Sequence, residues 1–147
     1  MDNSKVMKLK YPERCLSTTI VAVETMFTDS FKEILERSGQ KRAVTLQFRQ
    51  RLDYLAEKKT NCIQNPAWFE SCKGYKNIYA IKIKGTNLNI RIPFIFCTHC
   101  NQSYAVLLIA FQEKKAATAK TESYKKYIGL VQPIIDNFEE ALEWDIN

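Results

Sequence analysis

Residues 77–111 read NIYAIKIKGTNLNIRIPFIFCTHCNQSYAVLLIAF, and the period of this stretch decides the fold. Ile78, Ala80, Lys82 and Lys84 alternate with Tyr79, Ile81 and Ile83, so 77–84 reads as a strand with two distinct faces. Gly85 to Asn87 supplies a turn, and 88–96 runs back with Leu88, Ile90, Ile92, Phe94 and Phe96 on one face and Asn89, Arg91, Pro93 and Ile95 on the other. A second turn over Cys97–Ser103 leads into the wholly apolar Tyr104–Phe111, whose composition places it centrally in a sheet. The pattern is an antiparallel meander.

Working outward, Lys41–Lys58 carries Val44, Phe48, Leu52 and Leu55 at steps of four, four and three, one apolar helical stripe. Thr28 or Asp29 is placed to cap a shorter helix through Phe31, Ile34 and Leu35 that Gly39 stops. Ser17–Phe27, rich in Thr, Ile and Val, reads as a strand, and Thr60–Lys76 as a connecting loop. After a polar linker the chain ends in helical sequence, where Pro133 kinks one helix or opens another and Ile134, Phe138 and Leu142 form a last apolar stripe. Residues 1–16 show no period and read as an irregular arm; 17–147 read as a single domain with a C-terminal helical segment. The fold class expected is α+β: a small antiparallel sheet, a helical hairpin on one face and a helical extension at the C-terminus.

Composition narrows the function. The chain has 147 residues, 46% of them hydrophobic, which suffices for one packed core without disulfides or metals. Its longest uninterrupted apolar run, Tyr104–Phe111, is far below the roughly 20 residues that span a bilayer. With no secretory signal and an odd number of cysteines, 5, the reading is a cytoplasmic protein with reduced thiols and no membrane partner. Charge is uneven. Residues 58–126 hold 12 basic and 3 acidic groups, whereas 127–147 hold 5 acidic groups and no basic one. Lys82, Lys84 and Arg91 fall on alternate strand positions, so they are expected to form a compact basic patch suited to a polyanion.

The usual hydrolase and nucleotide-binding signatures are absent, and His99 is the sole histidine. Cys97 and Cys100 form a CxxC, half of a zinc site that Cys62 and Cys72 could complete, but the wide spacing of that second pair makes ordinary thiols the expectation. No metal site is therefore predicted.

Three short patterns occur in order: Ile78-Tyr79-Ala80-Ile81-Lys82-Ile83-Lys84, then Asn89-Ile90-Arg91-Ile92, then Val106-Leu107-Leu108-Ile109-Ala110-Phe111 followed by Lys114-Lys115. This order resembles the core of the RelE/HigB-type toxins of type II toxin-antitoxin systems (the RelE/ParE superfamily, some of it phage-borne), where a strand with a basic residue, a strand with an arginine and an "LLxxF" strand ending in a basic pair follow one another. Ala80 and the Gln112-Glu113 interruption depart from that pattern.

The resemblance implies a metal-independent endoribonuclease, an mRNA interferase that cuts messenger RNA on the ribosome and is neutralised by a cognate antitoxin protein. A ribose 2′-hydroxyl attacks the adjacent phosphate, which requires a base, positive charge and an acid, but no cofactor. Carried over residue by residue, Lys82 is the base, Arg91 and Lys115 stabilise the phosphate and Tyr124 stacks a base or donates a proton; Lys84, Lys114, Lys125 and Lys126 contact the RNA backbone. The alternatives are a catalytically inert RNA- or protein-binding module from a phage or mobile element, and a zinc-stabilised small domain.

Overall fold

The computed structural model describes residues 4–9, 18–113 and 117–144, without the side chains of 117–122. In chain order the elements are β1 (Ser4–Lys8), β2 (Thr19–Val23), α1 (Met26–Ser38), α2 (Lys41–Lys58), a 3-10 segment (Lys59–Gln64), β3 (Phe69–Ser71), β4 (Ile78–Gly85), β5 (Leu88–His99), β6 (Gln102–Leu107), β7 (Phe111–Gln112), α3 (Ala117–Asp136), α4 (Phe138–Ala141) and β8 (Leu142–Glu143).

The small antiparallel sheet expected from the sequence is not what forms. The sheet has eight strands in the order β3-β4-β5-β6-β2-β1-β8, with β7 also pairing β5, and it is mixed: β2 runs parallel to β6 and β8 parallel to β1. The meander β4-β5-β6 is antiparallel. Alternation reveals that a segment is a strand but not its partner or direction, and β2 finds β6 more than eighty positions away, Thr19 opposite Tyr104. Within the supposed irregular arm, residues 4–8 are also a strand, Val6 lying opposite Val23.

Two apolar layers sandwich the sheet. On one face Ile20, Ala22, Ile81, Ile83, Ile90, Ile92 and Phe94 pack against Phe27, Phe31, Val44, Leu52 and Leu55 of α1 and α2. On the other, Val21, Val23, Ala80, Ile95 and Val106 pack against Ile128, Val131 and Ile134 of α3. Both faces of β2 are covered, and all five of its residues are buried. Helix α1 begins at Met26, earlier than Thr28; Thr28 instead accepts the Thr25 N–H at 2.9 Å, and Gly39 ends the helix at φ 67°. Helix α3 continues through Pro133 to Asp136, and Asn137 caps the new turn by accepting the Glu140 N–H.

Side chains of α2 and of its N-cap residue, Gln40, close the free stretch of the β4 edge and the turn that follows it. The amides of Gln47 and Gln40 each accept and donate one backbone hydrogen bond, at Lys84 and Thr86 respectively, while Arg51 Nε donates to the Lys82 carbonyl. These contacts occupy groups that would otherwise template another strand.

The stretch 104–111 is not one strand. Phe94 faces Leu107 and Arg91 faces Phe111, so the three residues 108–110 oppose only Ile92 and Pro93. This is a bulge, placed where Pro93 has no N–H to offer the ladder. The extra residue reverses the alternation, turning Phe111 onto the α3 face, where its ring stacks on Tyr127 at 4.5 Å.

Candidate functional site

The same reversal delivers Glu113 to Arg91. Arg91 lies on the α3 face of β5, directly across from Lys82 on β4. Its guanidinium meets Glu113 Oε2 at 2.5 Å and Glu70 Oε1 at 3.2 Å, and it also donates to Asn89 Oδ1 at 2.5 Å. Asn89 Nδ2 in turn donates to Glu113 at 3.2 Å. Glu70 reaches the cluster from β3, opposite Ala80, and accepts a short hydrogen bond from the Tyr124 hydroxyl of α3. Residues of β3, of β5 and of the segment just after β7 thus meet at a single guanidinium, and α3 joins them through the Tyr124–Glu70 bond.

The burial is graded. Arg91 and Glu113 side chains are 6% and 5% exposed, whereas Glu70 is 36% exposed. Above the network lies a cleft of about 450 Å³ lined by Glu70, Cys72, Lys73, Tyr75, Glu113, Tyr124 and Lys125, among others. One wall is a tight turn over 72–75 in which Gly74 adopts φ 85°, a conformation that suits glycine, and the Tyr75 N–H bonds the Cys72 carbonyl. Burial, reinforced by the hydrogen bond to Glu70, raises the Tyr124 phenol above its ordinary value of 10.0. Tyr124 is therefore a proton-bearing donor at neutral pH.

Compared with the sequence reading, the structure gathers Arg91, Tyr124 and Lys125 around Glu70 and its cleft, and sets Arg91 in different surroundings. Arg91 was expected on an open basic patch, free to grip phosphate. Instead α3 covers that face, and two carboxylates take up the guanidinium. Lys82, the expected base, shares its face with Arg91, but its Nζ donates to the Pro66 carbonyl at 2.8 Å. Lys84 is exposed near the hairpin end, and Lys126 lies 5.2 Å from the Tyr127 ring. Lys114 and Lys115 fall outside the described residues.

Glu70 and Glu113 were missed, although a signal was present: they are two of only 3 acidic residues among the 15 charged groups of 58–126. A rare carboxylate in a basic segment is a candidate for a specific cationic partner.

The four thiols of the zinc alternative do not converge. Cys62 is buried on the α1/α2 face, while Cys72 and Cys97 pack on the α3 face. Burial pushes each of these three thiols up to about 12. Among the described residues no group of three or more His, Cys, Asp or Glu is arranged to hold a metal, and no helix is long and apolar enough to cross a membrane. No protein-family model, curated protein or solved structure matches the chain.

Proposed function

We propose that the chain is a metal-independent endoribonuclease of the toxin kind its motif order resembles, working in the cleft above Glu70, Arg91 and Tyr124. The observation that carries this reading is the meeting of Arg91 and Tyr124, two residues singled out from the sequence, on the single carboxylate of Glu70. Transfer of the 2′-hydroxyl to phosphate asks for a base, a proton donor and positive charge in one place. Glu70, the more exposed carboxylate of the network, replaces Lys82 as the base. Arg91 holds that carboxylate in position, and the Tyr124 hydroxyl supplies the proton-bearing group. Lys73 and Lys125 flank the cleft as contacts for the RNA backbone. In this reading messenger RNA is the substrate, an antitoxin protein the partner and the cytoplasm the location.

Neutralisation of Arg91 by two carboxylates favours a second reading, an inert module that grips RNA through its basic rim without cutting it. The deciding experiment incubates a defined transcript with the purified protein in excess chelator and examines the new ends. Endonuclease action gives 2′,3′-cyclic phosphate ends and a rate that drops about 100-fold or more in Glu70→Gln. Binding without cleavage selects the second reading, and undiminished cleavage by Glu70→Gln removes Glu70 from the chemistry.

A further inference from the structure

A second reactive cluster lies at the opposite end of β5, and the nuclease reading makes no use of it. The β5–β6 hairpin turns through Cys100 and Asn101, both left-handed at φ 50° and 63°. A two-residue turn with both φ values positive is the tight hairpin form that normally takes Asn and Gly, so a cysteine there is unusual. It places the thiol at the exposed tip of the turn.

The preceding residue, His99, is held on three sides. Its Nδ1 lies 2.8 and 3.0 Å from the two carboxylate oxygens of Glu139, in α4. Its ring stacks on Trp144 with centroids 4.3 Å apart and planes 15° apart. Its Nε2 lies 3.5 Å from Cys100 Sγ. A carboxylate can only accept, so in the neutral ring Nδ1 carries the proton and the Nε2 lone pair faces the sulfur. The order thiol, imidazole, carboxylate is that of an activated nucleophile whose base is oriented by a third group. Buried Cys62 and Cys72 and half-buried Cys97, with thiols pushed up to about 12, offer no comparable nucleophile.

We propose that Cys100 is a reactive thiol that exchanges with small disulfides of the glutathione class, with His99 as its base and Glu139 as the positioning residue. The Cys100 proton passes to His99 Nε2 as the sulfur attacks one sulfur of the disulfide. The original S–S bond breaks, a new one forms to Cys100, and the expelled thiolate takes the proton back from Nε2. Cys100 is oxidised to the mixed disulfide, and half of the small disulfide is reduced to free thiol.

The test treats the full-length protein with oxidised glutathione and follows each cysteine by peptide mass, with the same chain unfolded in urea as reference. Folded Cys100 is expected to react at least tenfold faster than unfolded Cys100. His99→Phe keeps a ring to stack on Trp144 but removes the base, and is expected to bring the rate down to the unfolded level. Glu139→Gln keeps a side chain of the same shape and is expected to lower the rate severalfold. Cys97 is the internal control, since general loosening of this corner would speed its reaction too. If His99→Phe exposes Cys97, Glu139→Gln decides. Folded Cys100 reacting no faster than in urea, or folded variants retaining the full rate, would overturn the proposal.

Discussion

The two faces of one sheet solve the problem of burial differently. Towards α1 and α2 the layer is apolar almost throughout, with Phe27, Phe31 and Phe48 in mutual ring contact above the isoleucines of β4 and β5. Its one deep cation, Arg51, sits at the margin, donating to a backbone carbonyl and lying 4.6 Å over the Trp68 ring. Towards α3 the apolar layer gives way, within the same strands, to Arg91, Glu70, Glu113, Asn89 and Tyr124. Apolar packing is non-directional and tolerates adjustment, whereas the charged network holds only while every partner is present. The second face is accordingly where a substitution can change chemistry as well as stability.

The largest effects break each face in its own way. Phe94→Ala is expected to cost about 3–5 kcal/mol by opening a cavity in the apolar layer. Arg91→Ala is expected to cost a similar amount, roughly 3–5 kcal/mol, because it strands the buried carboxylate of Glu113. The faces then separate in their rescue: Arg91→Met combined with Glu70→Gln and Glu113→Gln should regain most of that loss, whereas the same glutamine changes should destabilise Phe94→Ala further, because they leave the buried Arg91 without a counter-charge. Urea denaturation of the five proteins measures this, and equal behaviour on the two faces would erase the distinction.

Alkaline titration probes the same contrast. Between pH 9 and 12 the unfolded chain releases protons that the folded thiols of Cys62, Cys72 and Cys97 retain, so their contribution to stability is full below 9 and declines as the pH rises. Tyr124 acts in the same direction from 10.0 upward. Arg51, lowered to about 10 by burial, has the opposite sign between 10 and 12.5. Because Cys72, Cys97 and Tyr124 all lie on the α3 side, Cys72→Ala with Cys97→Ala should raise the alkaline midpoint more than Cys62→Ala does. Circular dichroism against pH gives the comparison.

Smaller changes refine it. Tyr124→Phe removes one hydrogen bond to a carboxylate and is expected to cost about 1.5–3 kcal/mol by thermal or urea melting. The smallest effect is expected for Gly85→Ala at the sheet edge. A Cβ there would lie 2.3 Å from Gln40 Oε1, displacing the Gln40 clamp on Thr86 at a cost of about 1 kcal/mol.

The sequence by itself determined that β4, β5 and β6 are strands, which residues alternate along β4 and β5, that α2 is a helix with Val44, Leu52 and Leu55 inward, and that Gly39 ends α1. Each of these follows from a local period or a local backbone requirement, visible within a few residues. Only the tertiary structure decided what lies over each face. The α3 helix covers Arg91, β2 enters parallel to β6, and the bulge at 108–110 opposite Pro93 turns Glu113 towards the guanidinium. Strict alternation from Leu107 would have sent Glu113 to the α1/α2 face. Period assigns a side to a residue but carries no information about what will cover that side, and one inserted residue exchanges the sides for everything beyond it.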